Sequence, residues 1–222
     1  MGIELVTTTG IFALDGGEWE VTNNIWLVGD DRRVFVIDAA HDHRPIVDAV
    51  NGRTVTGVIL THGHNDHINA AAALADDADA PIHLHPADTM LWSVVYPDRK
   101  PDRAIVPGTT LKTGGVELAI RHTPGHSPGC CCFYDATSGV VFSGDTLFCG
   151  GPGATGRSFS DFPTILTSIR SQLLTLPAET IVHTGHGDST TIGAETPLLQ
   201  ALIYDAATPN AADQPDEIDG RM

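Results

Sequence analysis

The sequence predicts an α/β protein built as a four-layered αββα sandwich, with two β-sheets stacked between two layers of helices. Three observations lead there. The chain divides into two β-rich halves, each flanked by helical stretches, as expected when each of two sheets needs a helical cover. Apolar or alternating runs of strand length recur between turn-forming Gly, Pro and Asp clusters. At four places such a run leads directly into a glycine-bearing loop that carries His or Asp. Residues 1–207 are read as a single domain, long enough to bury one substantial core. Residues 208–222, made of proline, alanine and acids with almost nothing to bury, are read as a disordered acidic tail.

In the first half, strands are expected at Glu4 to Thr7, Ile11 to Leu14, Asn24 to Val28, Val34 to Ile37 and Val58 to Leu60. Gly16-Gly17 and Asp30-Asp31 supply the turns between them. Arg44-Pro45 opens a short helix over Ile46 to Val50, since proline is tolerated in a first turn. The alanine-rich stretch Ile68 to Ala75 reads as a helix, Ile82 to Leu84 as a strand and Ala87 to Val94 as a helix. In the second half, strands are expected at Thr110 to Lys112, Val116 to Arg121, Cys131 to Tyr134 and Val140 to Phe142, with turns at Gly114-Gly115 and Ser138-Gly139. The clearest helix follows. Ser160 or Asp161 caps it, Pro163 lies in its first turn, and Phe162, Ile165, Leu166, Ile169 and Leu173 recur at helical spacing. A strand at Thr180 to Val182 and a helix over Glu195 to Ala206 complete the fold.

The run Thr61-His62-Gly63-His64-Asn65-Asp66-His67 follows an apolar strand and packs four potential metal ligands into six residues. No regular helix or strand aims all four at one ion, whereas a tight loop can aim them at two ions side by side. Imidazole nitrogen and carboxylate oxygen suit zinc, iron and manganese alike. Later loops offer the remaining donors: His126 in Thr123-Pro124-Gly125-His126-Ser127-Pro128-Gly129, Asp145 in Ser143-Gly144-Asp145-Thr146, and His186 in His183-Thr184-Gly185-His186-Gly187. Each sits just past the end of an expected strand, where loops converge on one face. Any one of them alone is more often an ordinary hydrogen-bonded residue; the repeated order of strand, glycine and ligand carries the reading.

These stretches resemble the metallo-β-lactamase superfamily of hydrolases, and within it the glyoxalase II (hydroxyacylglutathione hydrolase) branch, over about residues 24–186. The resemblance implies the same αββα fold and two divalent metal ions, Zn2+ first, with Fe or Mn also open. It places one ion on His62, His64 and His126 and the other on Asp66, His67 and His186, with Asp145 bridging the two. Two bridged ions would supply a hydroxide near neutral pH, which Asp66 and Asp145 orient toward a thioester carbonyl. A thiolate leaves without a proton, consistent with the lack of a spare carboxylate pair or Ser-His arrangement. Asp38, closing the strand Val34 to Ile37, is expected behind the ligands.

The resemblance also matches Arg157 and Phe159, in the glycine-rich segment after Asp145, to a basic and an aromatic residue that touch the thiol carrier. Pairing of Arg157 with Asp161 on the surface is an equal alternative. Glyoxalase II enzymes add a helical domain that grips glutathione, whereas 36 of the 222 residues follow His186, so a more open thioesterase or one using another thiol is expected. Alternatives are a persulfide dioxygenase with one iron on the positions of His62, His126 and Asp145, a lactone hydrolase, and a non-catalytic metal module.

The formal charge of −16, from 12 basic and 28 acidic residues, argues against nucleic-acid binding, which needs a basic surface. No apolar run is long enough to cross a membrane, and the amino terminus lacks a secretory signal, so the protein is expected in the cytoplasm, as a monomer or homodimer acting on a small-molecule thioester. Cys130-Cys131-Cys132 cannot converge on one ion from a strand; they read as small packing residues, with Cys131 facing opposite its neighbours. Cys149 reads as a packed thiol, and His41 and His43 as solvated histidines near the pocket.

Overall fold

The computed structural model describes residues 2–207, so the expected tail lies outside the described residues. A long antiparallel ribbon opens the chain: β1 (Gly2–Leu14) and β2 (Gly17–Gly29) pair from Gly2 opposite Gly29 to Leu14 opposite Gly17. The turn is Asp15-Gly16, with φ of 53° and 78°, the left-handed pair whose twist suits a two-residue hairpin. The sequence reading split β1 around Thr8-Thr9-Gly10. The ladder to β2 carries the strand through, and Gly10 has its own reason to be there: a Cβ on it would lie 2.3 Å from the His41 ring.

The ribbon continues into β3 (Arg33–Ile37), antiparallel to β2, and then into β4 (Thr54–Ile59), β5 (Ile82–Leu84) and β6 (Arg103–Ala104), all running parallel to β3. The sheet order is β1-β2-β3-β4-β5-β6. Helices α1 (Arg44–Val50), α2 (Asn65–Ile68), α3 (Ala71–Ala78) and α4 (Thr89–Val95) belong to this half. Their apolar residues, among them Ile46, Ile68, Leu74 and Trp92, pack on Ile25, Leu27, Val34, Val36 and Val58.

The second sheet is β14-β13-β10-β9-β8-β7, built from β7 (Thr110–Thr113), β8 (Val116–His122), β9 (Cys131–Asp135), β10 (Val140–Gly144), β13 (Ile181–Thr184) and β14 (Thr190–Thr191). A small ribbon of β11 (Leu147–Phe148) and β12 (Gly151–Pro152) follows β10. Helix α5 (Phe162–Ser168), which continues as a wider turn over Ile169–Leu173, and α6 (Ile192–Ala207) cover the outer face through Ile165, Ile169, Leu173 and Leu199 on Cys132, Val141 and Val182. Between the sheets lie Trp26, Val28, Phe35, Ile37 and Ile59 against Val116, Leu118, Ile120, Cys131, Phe133 and Phe142. Alternate residues of one strand thus serve different layers: Ile25 and Leu27 face helices while Trp26 and Val28 face the other sheet. Cys131 and Cys132 divide the same way, and the αββα order is the one expected.

Several elements differ in extent from the sequence reading, β2 and β4 among them. The helix expected at Ile68 begins at Asn65, inside the ligand motif, breaks, and resumes as α3. Helix α6 begins at Ile192 rather than Glu195. The two-residue strands β6, β11, β12 and β14 are too short to register as a periodic pattern. The α5 start is as read: Asp161 accepts the Thr164 N–H at 2.8 Å and Pro163 sits in the first turn.

Phe133 is fully buried between the sheets. Phe133→Ala is expected to cost about 3–5 kcal/mol, read as a lowered urea midpoint, whereas Asp161→Ala, which removes only a cap, costs about 1 kcal/mol.

Candidate metal centre

Seven side chains arrive at one end of the sandwich from separate elements. His62 and His64 come from the turn after β4, and Asp66 and His67 from the single turn of α2. His126 follows β8, Asp145 follows β10 and His186 follows β13. The motif around His62 is therefore half loop and half helix, which corrects its reading as a loop throughout. The turn aims His62 and His64, and α2 presents Asp66 and His67 from adjacent positions.

Their donor atoms form three overlapping groups, each within 4.8 Å: His62, His64 and His126; Asp66, His67 and His186; and His62, His67 and Asp145, which draws on both. His64 Nδ1 lies 2.9 Å from His126 Nε2, and His67 Nε2 lies 3.2 Å from His186 Nε2. Asp145 Oδ1 is 3.3 Å from His67 Nε2, and its Oδ2 is 3.5 Å from both His126 Nε2 and His186 Nε2. Ligands about 2.0–2.1 Å from a tetrahedral ion stand roughly 3.3 Å apart, so these spacings are those of donors around metal.

Hydrogen bonding decides which nitrogen each ring offers. His67 Nδ1 donates to Asp38 Oδ2 at 3.0 Å. Thr61 Oγ1 donates to the same oxygen at 2.7 Å and so accepts from His62 Nδ1 at 3.0 Å. His126 Nδ1 donates to the Ala154 carbonyl and His186 Nδ1 to the Thr22 carbonyl, each at 2.8 Å. Four rings are thereby fixed with a bare Nε2 turned inward. His64 presents Nδ1 instead. Among the described residues, six buried side-chain polar atoms lack a hydrogen-bond partner, and three of them are acceptors of this cluster: His62 Nε2, Asp66 Oδ1 and Asp145 Oδ1. Buried acceptors left without donors are costly, and bound metal removes that cost. The residues fit a metal-binding site.

Asp38 stands where the sequence reading put it, behind His67 and, through Thr61, behind His62. Its Oδ1 also accepts the Thr61 N–H at 2.7 Å. Asp88, which the sequence did not single out, is fully buried and accepts from Gly63 N at 2.8 Å, Ser127 Oγ at 2.6 Å and Gly129 N at 2.6 Å, joining the first ligand turn to that of His126. Nothing in the sequence around Asp88 signals this. Asn23 was also missed; two consecutive asparagines leading into the apolar run Ile25-Trp26-Leu27-Val28 were the available signal. Gly185 is required by space, since a Cβ there would lie 2.3 Å from Asp145 Oδ1.

Electrostatics separates the two groups. Burial, with His67 and His64 nearby, pushes His62 well below the usual histidine range, and burial beside His126 takes His64 down to about 3. Burial alone would lower His67 and His186 as well, but Asp145 and Asp66 outweigh it, raising His67 strongly and His186 to about 10.

A cavity of about 240 Å³ opens on the ligands, walled by Phe12, Leu14, Val21, Phe148 and Ala154, with Arg157 among its lining residues. The Arg157 guanidinium stacks 3.8 Å from the Trp19 ring centroid and 5.7 Å from that of Phe12. Asp161, its suggested surface partner, spends its carboxylate on the α5 cap. Phe159 does not line the cavity: it is 56% exposed at a left-handed φ of 69°, and Phe12 and Phe148 supply the aromatic walls in its place. His41 contacts Asn23, and His43 pairs with Asp77 at 3.0 Å. Cys149 is exposed, not packed, while the three consecutive cysteines are buried.

Residues 19–186 match the metallo-beta-lactamase superfamily, and the chain belongs to that family. It is 34% identical over 187 residues to the probable metallo-hydrolase YqgX of Bacillus subtilis, covering 78% of this chain and 88% of that one. It is 32% identical over 186 residues to the hydroxyacylglutathione hydrolase GloC of Haemophilus influenzae, covering 77% and 87%. Among solved structures, TTHA1623 in a di-iron-bound form superposes with a TM-score of 0.71 at 33% identity, covering 79% of this chain and 93% of that one. Among the described residues no helix is long and apolar enough to cross a membrane.

Two outcomes are expected. As pH falls, protons on His67 and His186 compete with metal, so the Asp66, His67 and His186 group should empty first, losing about tenfold in affinity per pH unit for each proton displaced. The group containing His62 and His64, which resist protonation, should keep its ion; metal content after dialysis at stepped pH checks the order. Asp38→Asn should weaken metal binding by about 10–100-fold in a chelator competition.

Proposed function

We propose that the protein is a dinuclear metal-dependent hydrolase that cleaves small acyl thioesters, with hydroxyacyl thioesters of the glyoxalase II kind as the leading substrate class. The observation that carries this reading is Asp145, set between two ligand groups at the floor of the cavity. His62, His64 and His126 would hold one ion and Asp66, His67 and His186 the other, with zinc favoured and iron or manganese open. Bound there, two ions supply Lewis acidity and an acidified water.

The chain's own residues do the rest. Asp66 and Asp145 hold the nucleophile's side of the site in register with the substrate carbonyl. Phe12, Leu14, Val21 and Phe148 keep water off the acyl group. Arg157, placed over the Trp19 ring at the cavity wall, would meet a carboxylate on the substrate through its N–H groups. The titratable groups lining the cavity are ligands and Arg157, which suits a leaving group that needs no proton, as a thiolate does. The name of the Haemophilus relative supports the thioester class and that of the Bacillus relative the hydrolase class. The free thiols of Cys130, Cys131 and Cys132 suit a reducing cytoplasm.

Protein purified without added metal is expected to carry about two ions per chain and to hydrolyse hydroxyacyl thioesters, with Asp145→Asn at least a hundredfold slower, about 2.7 kcal/mol in the barrier. About one iron per chain with oxygen uptake on a persulfide would overturn the proposal, as would hydrolysis of lactones with no thioester turnover.

A further inference from the structure

Asn23 is fully buried in β2, and its amide faces the second ligand group: Nδ2 lies 3.2 Å from Asp66 Oδ2, 3.3 Å from His67 Nε2 and 3.4 Å from His186 Nε2. With its oxygen inward, this amide would be a metal ligand; with its nitrogen inward, it is a donor to the ligands. The two orientations differ by a flip, and the surrounding hydrogen bonds choose between them. A backbone N–H can only donate, and that of His41 donates to Asn69 Oδ1 at 2.5 Å. The Asn69 amide nitrogen must then be the end that faces His41 Nδ1 at 3.2 Å, so Nδ1 accepts. Burial lowers His41 below the usual histidine range, and the neutral ring therefore carries its one proton on Nε2. That proton goes to Asn23 Oδ1 at 2.8 Å. The Asn23 nitrogen is left turned toward Asp66.

We infer that Asn23 is a positioning residue for the second ion: it donates to Asp66 Oδ2, fixing that carboxylate beside His67 and His186, and is held in that orientation by His41 and Asn69. Asp66 Oδ2 also lies 3.3 Å from His186 Nε2, so the oxygen that Asn23 holds is the one set at ligand spacing in that group. His41 occupies a left-handed φ of 58°, a conformation that β-carbon-bearing residues adopt only where the surroundings enforce it. Gly10 makes room for its ring on the other side. The inference rests on the reading of Asp66, His67 and His186 as a metal group and is independent of the thioester assignment.

The first test is the tautomer of His41, read from long-range 15N–1H correlations on the zinc-loaded, unaltered protein. A proton on Nε2 is expected; a proton on Nδ1 overturns the inference whatever the substrate proves to be. The second is metal affinity by chelator competition. Asn23→Ala should weaken the second ion by about 10–100-fold and leave the first unchanged. His41→Leu should reproduce that loss, and His41→Gln, which can still donate to Asn23, should restore much of it. Full retention of both ions at wild-type affinity in Asn23→Ala would sink the proposal. A wild-type protein that takes up only one ion would instead sink the two-ion reading of the site.

Discussion

Asp38 places a carboxylate at the end of β3, almost completely buried and in a left-handed conformation, where it can persist as an anion only if donors surround it. The donors are the Thr61 backbone N–H on Oδ1 and the Thr61 hydroxyl and His67 ring on Oδ2. Parallel pairing of β3 with β4, which sets Ile37 beside Ile59, brings Thr61 to Asp38. One buried charge thereby fixes the exit of two strands, the first turn of α2 and the orientation of two ligand histidines. Charge-assisted hydrogen bonds of this kind are strong and directional, which is what a metal site needs behind its donors.

The rest of the centre follows from strand direction. β3, β4 and β5 run parallel, as do β10 and β13, so loops after β4, β10 and β13 leave from one edge of the sandwich. Asp88 performs in the loops what Asp38 performs at the strand ends. Burial raises its pKa, hydrogen bonds from Ser127, Gly129 and Gly63 oppose that, and the result locks the turns bearing His64 and His126 together. The ribbon of β1 and β2 contributes both the mouth of the cavity, through Phe12 and Val21, and the Thr22 carbonyl that orients His186.

The layer order was legible because two β-rich halves each carry helical stretches able to cover a sheet, and the ligand positions because glycine, ligand and strand end recur together. The donors behind the ligands were less legible. Asp38 could be found because it closes an apolar strand. Asp88, Asn69 and the Ala154 carbonyl could not, since their roles depend on chain segments that meet only after folding. Helix α2 was misplaced because its four residues owe their conformation to the ligand turn, not to helix-forming composition. Phe159 was matched by its position along the loop, and the loop turns it outward.

Two of the histidines are oriented by side chains and two by main-chain carbonyls, those of Ala154 and Thr22. A carbonyl survives any substitution at the residue that bears it. Sequence drift is therefore free to rework the hairpin around Thr22 and the glycine-rich segment around Ala154 while the rings they steer keep their aim. Both segments also border the cavity, so an evolving lineage can rewrite its walls with the metal-ligand cluster inherited intact.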